Sequence, residues 1–389
     1  MNQEILTAVK EKFQAEFSGT PLLVRAPGRI NVIGEHTDYN MGFVLPAAVG
    51  QGIYFAIGPS GDEDSCNLIS LDLKASYDFK ISEMKPLAQD SWENYILGVV
   101  AEIEKAGHKV PGFNMVFSGD VPRGSGMSSS AALECGTCLG LNELFGFNIG
   151  RVDMVKMSQK AEHNYAGVMC GIMDQFASMM GAEDQVLLLD CQSLEYSHFP
   201  MVLNNYTLML CNSNVSHSLA SSEYNTRRLQ CNEGVEILKK KYPEVESLRD
   251  VNIEQLNDCK SDINEEVFRR CKYVIEENVR VHTIVEALKA GDLNAVGETL
   301  KAAQHAMETE YEITCPEIDF MADFANSRSD VLGARMMGGG FGGCTLNLIQ
   351  KGKEEQFVKE LDAAYLDKFN KHISPVEINI SNGVHIVND

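Results

Sequence analysis

The sequence predicts a mixed α and β fold, long enough for two domains, and three observations carry that prediction. Apolar runs of strand length, Ile53–Ile57, Phe113–Phe117, Val186–Leu189 and Leu208–Cys211, alternate irregularly with stretches of helical apolar spacing. At 389 residues the chain exceeds the size that one core usually fills. No internal repeat, low-complexity tract or obvious linker divides it.

The elements follow in chain order. Met1–Phe17 sets Ile5, Leu6, Val9 and Phe13 on one helical face, with early acids and no apolar core of a signal peptide. Leu22, Leu23 and Val24 read as a strand. Helices are expected over Trp92–Ala106, Ala131–Leu144, from about Glu265 to Leu288, over Leu293–Met307 and over Glu354–Phe369. Near the end Val376, Ile378 and Ile380 alternate, Ser381-Asn382-Gly383 turns the chain, and Val384 and Ile386 resume, which is a hairpin signal. The best domain boundary falls after Pro200.

Composition narrows the function. A hydrophobic fraction of 44% and a charged fraction of 23% describe an ordinary globular protein. The net charge of −22 argues against nucleic acid, whose binding needs many Lys and Arg on phosphates. A nucleotide substrate stays allowed, because backbone N–H groups and a metal can build a local phosphate site. No run approaches membrane-span length. Eleven cysteines without framework spacing fit reduced thiols in a cytoplasm. The isolated Cys135-Gly136-Thr137-Cys138 reads as packed thiols rather than a redox or zinc pair.

The segment Arg25–Tyr39 is the most informative. It sets an arginine, two acids and a histidine between Arg29 and Asp38, with Gly28 and Gly34 where the backbone is expected to turn. No apolar period runs through its polar part, so it is expected to bury little. Carboxylates accept hydroxyl hydrogen bonds and a neutral imidazole accepts one and donates one, which is the inventory of a sugar site. A solvated loop with a local ion pair is the alternative.

Pro122–Glu134 is the second. Gly124 and Gly126 permit close approach of a ligand, and Ser128, Ser129 and Ser130 lead into a helix that one serine can cap. Such a helix start offers open N–H groups to an anion. A helix-capping turn with no ligand remains the alternative. No Walker A loop, H-R-D or D-F-G occurs in the chain. A third cluster, Gly338–Gly343, satisfies G-x-G-x-x-G, but an alternating strand follows it where a dinucleotide fingerprint requires a helix. These glycines are expected to let backbone pack against another loop, such as the phosphate loop. Asp174 sits among apolar and small neighbours, and Arg29 is a candidate partner. A helix N-cap role after Gly171 suits Asp174 as well.

Taken together, these segments resemble the GHMP small-molecule kinases, the galactokinases in particular. Gly28–Tyr39 is similar to the galactokinase signature, Gly124–Ser130 to the shared ATP loop and Gly338–Gly343 to the third motif. Trp92-Glu93-Asn94-Tyr95, Cys170–Gln175 and Ser222–Arg228 support the match, which spans nearly the whole chain. The departures are Arg123, Met127 for a usual leucine, and Met337 for a frequent threonine.

The resemblance implies an α+β fold with an active site in the cleft between residues 1–200 and 201–389. It implies that Glu35, His36, Thr37 and Asp38 form the sugar site, completed by Gly171 and Tyr224. Asp174 would act as base for the C1 hydroxyl of α-D-galactose and Arg29 would orient it. Gly124, Ser125, Gly126, Met127, Ser128, Ser129 and Ser130 would wrap the ATP phosphates. Ser130 and Glu162 would ligate Mg²⁺, and Trp92 would lie near the adenine. The implied reaction makes galactose 1-phosphate in a cytoplasmic enzyme with no obligate protein partner. A kinase for N-acetylgalactosamine or arabinose is the nearest rival. A non-catalytic galactose sensor is another, against which the intact Ser128–Ala132 run counts.

Overall fold

The computed structural model describes residues 1–88, 91–122, 124–216 and 220–388; Arg123 lies outside them. The strands are β1 (Leu22–Asn31), β2 (Phe43–Val44), β3 (Pro46–Pro59), β4 (Ser65–Ser70), β5 (Ala75–Lys80), β6 (Phe113–Gly119), β7 (Gln185–Asp190), β8 (Tyr196–Pro200), β9 (Tyr206–Ser216), β10 (Val331–Met337), β11 (Gly342–Gln350), β12 (Ser374–Ile378) and β13 (His385–Ile386). The helices are α1 (Gln3–Glu16), α2 (Glu93–Lys105), α3 (Ser129–Phe145), α4 (Arg151–Ala161), α5 (Met173–Met180), α6 (Ala220–Leu238), α7 (Ile253–Asp258), α8 (Glu265–Ala290), α9 (Leu293–Ala306), α10 (Pro316–Asn326) and α11 (Glu354–Phe369).

Among the described residues, one sheet runs in the order β13-β1-β3-β6-β4-β5, a second β10-β11-β9-β12 and a third β2-β7-β8. Strand β1 is buried on both faces. Leu23 meets Leu6, Val9 and Phe13 of α1, while Val24 and Ala26 face the core shared with α2, α3 and α5. That two-sided burial is why its start is a continuous apolar run. The second sheet also separates two cores by alternation: Leu208 and Leu210 face α8 and α9, whereas Met209 and Cys211 face α10 and α11. The core on the α8 side also takes in Ile30, Val32 and Leu45, so it joins the first strands to the second sheet.

Two expectations change here. The closing hairpin does not form: β12 pairs with β9 of the second sheet, and β13 pairs with the edge of β1. The Ser381-Asn382-Gly383 segment bridges the two, with Ser381 N–H on Ala48 O (2.9 Å) and Gly383 N–H on Gly181 O (2.8 Å). Ile378 and Val384 belong to different cores, and that decides the outcome. Gly28, expected at a turn, lies within β1 at a register shift between Pro27 and Arg29. A Cβ there would lie 2.8 Å from Met127 O, so glycine is needed for close approach of the serine loop.

The cysteines are free thiols, Cys135 and Cys138 fully buried within α3. No helix among the described residues is long and apolar enough to cross a membrane.

Helix α9 packs backbone to backbone on β10: a Cβ on Gly297 would lie 2.4 Å from Leu332 O, and one on Gly333 2.3 Å from Gly297 O. Alanine at position 297 gains about 1 kcal/mol of helix propensity but forces the strand away, at a cost of about 1–3 kcal/mol. Gly297→Ala is therefore expected to destabilise the protein, as a lower urea midpoint at unchanged slope.

Candidate active site

The segment expected to bury little is almost wholly buried. Arg25, Arg29, Asn31, Glu35, His36, Thr37 and Asp38 are each at most 9% exposed. Buried charge requires partners, and the fold supplies them. Arg29, on β1, donates from Nε to Asp174 Oδ1 (2.7 Å) and from Nη2 to Asp174 Oδ2 (2.7 Å). Its Nη1 donates to Gly126 O, and its own backbone N–H to Met127 O (3.0 Å). Asp174 therefore stands in the first turn of α5, where Ile172 takes the N-cap position. The N-cap alternative for Asp174 is excluded.

Glu35 is held on both oxygens. Oε2 accepts from Arg335 Nη2 (2.6 Å) and Asn31 Nδ2 (2.5 Å), and Oε1 accepts from the Gly338 N–H (2.8 Å). Burial raises its pKa and Arg335 opposes the rise. His36 has a left-handed backbone (φ 61°). Its Nδ1 lies 2.6 Å from Tyr39 Oη and its Nε2 3.1 Å from Gly339 O, so both ring nitrogens are engaged within the protein. Burial pulls its pKa down to about 4.

Asp38 accepts from the Tyr39 N–H (2.9 Å) and is pushed up to about 6, first by burial and then by Asp174. Gly171 makes room for it, since a Cβ there would lie 1.7 Å from Asp38 Oδ2. Thr37 is spent on the loop itself: its Oγ1 lies 2.8 Å from Gly34 O and 2.6 Å from Phe43 O.

A cavity of about 520 Å³ collects these groups. Arg29, Glu35, His36, Asp38, Glu162, Gly171, Asp174 and Tyr224 line it, together with Gly338, Gly339 and Gly340. Thr37 and Trp92 do not. Thr37 is fully buried behind the loop, and Trp92 packs its ring on Phe117 at 5.3 Å.

The serine loop lies behind Arg29 rather than on this cavity. Gly124, Gly126 and Ser128 have positive φ. Ser128 holds the N-cap position without a side-chain cap bond, contrary to the capping expectation. Ser130 Oγ lies 3.5 Å from Ser128 Oγ. Among the described residues, the first α3 amide with a partner is Ala132, on Ser128 O (3.3 Å). The N–H groups of Ser129, Ser130 and Ala131 thus remain open, as an anion at a helix start requires. The third glycine cluster forms the turn between β10 and β11, a hairpin that excludes the dinucleotide reading. It meets the serine loop as expected: a Cβ on Gly338 would lie 3.7 Å from Gly126 Cα.

Next to Asp174 lies an acidic pair that, among the described residues, has no cationic partner. Gln175 Nε2 donates to Glu162 Oε2 (2.7 Å) and Glu134 Oε2 (2.9 Å), while the buried Glu134 Oε1 has no partner. Glu162 is pushed up to about 7 by burial and Asp174, against hydrogen bonds from Cys170, Gln175 and Ser130. The oxygens of Glu162 and Ser130 and the unpartnered Glu134 Oε1 are hard donors that fit a divalent cation such as Mg²⁺.

Sequence reasoning missed Arg335, Glu134 and the cavity-lining role of Gly338–Gly340. Arg335 had a signal, a lone charge in the apolar run Val331–Met337.

The galactokinase galactose-binding signature matches residues 11–59. The GHMP kinases N terminal domain matches residues 94–182 and the GHMP kinases C terminal domain residues 284–367. A galactokinase of Thermotoga neapolitana is 41% identical over 361 residues, 93% of this chain and 99% of that protein. The chain belongs to the galactokinase family. A second galactokinase, from Clostridium acetobutylicum, is 35% identical over 99% of this chain and 100% of its own. The crystal structure of Lactococcus lactis galactokinase complexed with galactose superposes with a TM-score of 0.93 at 32% identity, covering 98% of this chain and 100% of that one. The mevalonate kinase of Methanococcus jannaschii, at 16% identity and a TM-score of 0.67 over 94% of this chain and 99% of its own, shares the fold.

Two outcomes test the galactokinase site. Gly171→Ala is expected to displace Asp38 and weaken galactose binding at least ten-fold by calorimetry, about 1.4 kcal/mol. Because the folded pKa of Asp38 is raised to about 6, its stabilising contribution is full below pH 4 and is lost as pH rises through 6. Asp38→Asn is therefore expected to raise Tm at pH 8 relative to the parent, with the difference shrinking towards pH 4.5.

Proposed function

We propose that the chain transfers the γ-phosphoryl group of ATP to the C1 hydroxyl of α-D-galactose, giving galactose 1-phosphate and ADP. The observation that carries this reading is the two-bond Arg29–Asp174 pair, which joins the acid-lined cavity to the serine loop through Gly126 O. Residues 1–200 then carry the sugar and phosphate loops, and 201–389 the third glycine motif, with the cleft between them.

Galactose fills the cavity, with its hydroxyls on Asp38, Glu35 and Tyr224. The C1 hydroxyl meets Asp174, whose oxygens each accept one bond from Arg29 and keep a lone pair. As the C1 oxygen bonds to the γ-phosphorus, the bond to the β,γ-bridging oxygen breaks, ADP leaves, and the hydroxyl proton passes to Asp174. Arg29 and the open amides of Ser129, Ser130 and Ala131 face the charge on the phosphates. Most of the rate comes from alignment, since phosphoryl transfer asks little covalent chemistry of the protein. Glu162 and Ser130 would hold Mg²⁺, which when bound neutralises phosphate charge.

Phosphate transfer from ATP, measured side by side on galactose, glucose and N-acetylgalactosamine, tests the substrate. Galactose is expected to lead, and preference for N-acetylgalactosamine or absence of transfer would overturn the proposal. Asp174→Asn is expected to lower kcat about a thousand-fold, within the range of general-base losses, while calorimetry still detects galactose binding.

A further inference from the structure

We propose that Tyr39 and Tyr311 are positioning residues for the sugar side of the cleft, acting through a hydrogen-bond chain of one forced direction that ends on His36 and Gly339. The proposal rests on the function above only for what the cavity binds.

The direction follows from the acceptor at one end. Gly339 O can only accept, so the Nε2 of His36, 3.1 Å away, carries a hydrogen. The imidazole is neutral, because burial pulls its pKa down to about 4, so Nδ1 carries none. Nδ1 must then accept from Tyr39 Oη, at 2.6 Å. With its hydrogen spent, Tyr39 Oη accepts from Tyr311 Oη (2.9 Å), which accepts in turn from Cys231 Sγ (3.2 Å). Each hydroxyl has one hydrogen, so every link dictates the next.

The chain joins parts far apart in sequence: the sugar loop, α6 through Cys231, the π-helical turn Met307–Tyr311, and the glycine turn before β11. His36, Tyr311 and Cys231 are buried and Tyr39 is half-buried, so the partners of the ring and of Tyr311 come from the protein. The held residue has a left-handed backbone (φ 61°), uncommon for a non-glycine residue. Its ring stands against Tyr224, centroids 4.8 Å apart, and both rings wall the cavity. Losing a hydroxyl from the chain frees this wall and Gly339, and leaves the Arg29–Asp174 pair in place. Sugar affinity should therefore fall more than turnover.

The test is a tautomer measurement paired with kinetics. In protein labelled with ¹⁵N-histidine at pH 7.5 and free of ligands, His36, assigned with the His36→Gln variant, is expected to carry its proton on Nε2 only. Tyr39→Phe keeps the ring and removes the donor. It is expected to populate the other tautomer and to raise the galactose KM about ten-fold with kcat within about three-fold. Tyr311→Phe should move KM the same way by less, about three-fold, and it decides the matter if Tyr39→Phe does not fold. Cys231→Ser, which keeps a donor, should restore what Cys231→Ala loses. A wild-type His36 protonated on Nδ1 or on both nitrogens overturns the proposal, as does Tyr39→Phe with unchanged KM or a loss confined to kcat. If the wild type does not phosphorylate galactose, the substrate reading fails, while the tautomer still decides the chain.

Discussion

One guanidinium holds the site together. Arg29 spends Nε and Nη2 on Asp174 and Nη1 on Gly126 O, so β1, α5 and the serine loop are fixed to each other at a single side chain. The planar fork of arginine matches a carboxylate with two parallel bonds, which lysine cannot do. The same residue closes the backbone contact to Met127 O, for which Gly28 leaves space. The acid-lined cavity and the serine loop thus share one wall.

A second buried pair does the same for the other half of the cleft. Arg335 and Glu35 lie at 2.6 Å, each essentially inaccessible to solvent, and Glu35 also accepts from the Gly338 amide. A pair of this kind adds little net stability, because desolvation offsets the attraction, yet removing one partner costs about 3–5 kcal/mol. Its effect here is geometric: it sets the sugar loop in register with the third glycine turn. Glu134 and Glu162 contrast with it, since Gln175 joins them and, among the described residues, no cationic side chain is bonded to either.

Much of the fold was legible locally. Helix α11 spans the expected residues, and α2, α8 and α9 match their expected ranges to within two residues at each end, because each presents an apolar stripe to a core. The failures are instructive. Val384 and Ile386 alternate as a hairpin strand should, yet alternation does not name a partner: Ile386 pairs with the edge of β1, and the Val384 N–H bonds Ser178 O of α5. One of Ser128, Ser129 and Ser130 was expected to cap α3, but Ser128, which takes the N-cap position, has a left-handed backbone and makes no side-chain cap bond. The polar loop after β1 looked solvated because its partners, Asp174 and Arg335, lie 145 and 300 residues away along the chain.

By itself the sequence determined the family, the mixed fold and the residue types of the site, since Gly28–Tyr39, Gly124–Ser130 and Gly338–Gly343 are contiguous and their chemistry is local. Only the tertiary structure decided what each side chain faces. It placed Asp38 in the space left by Gly171, turned both nitrogens of His36 onto protein partners, and kept Thr37 out of the cavity. The physical reason is that a buried polar group is defined by its partner, and partners are brought together by the packing of cores rather than by neighbours in the chain.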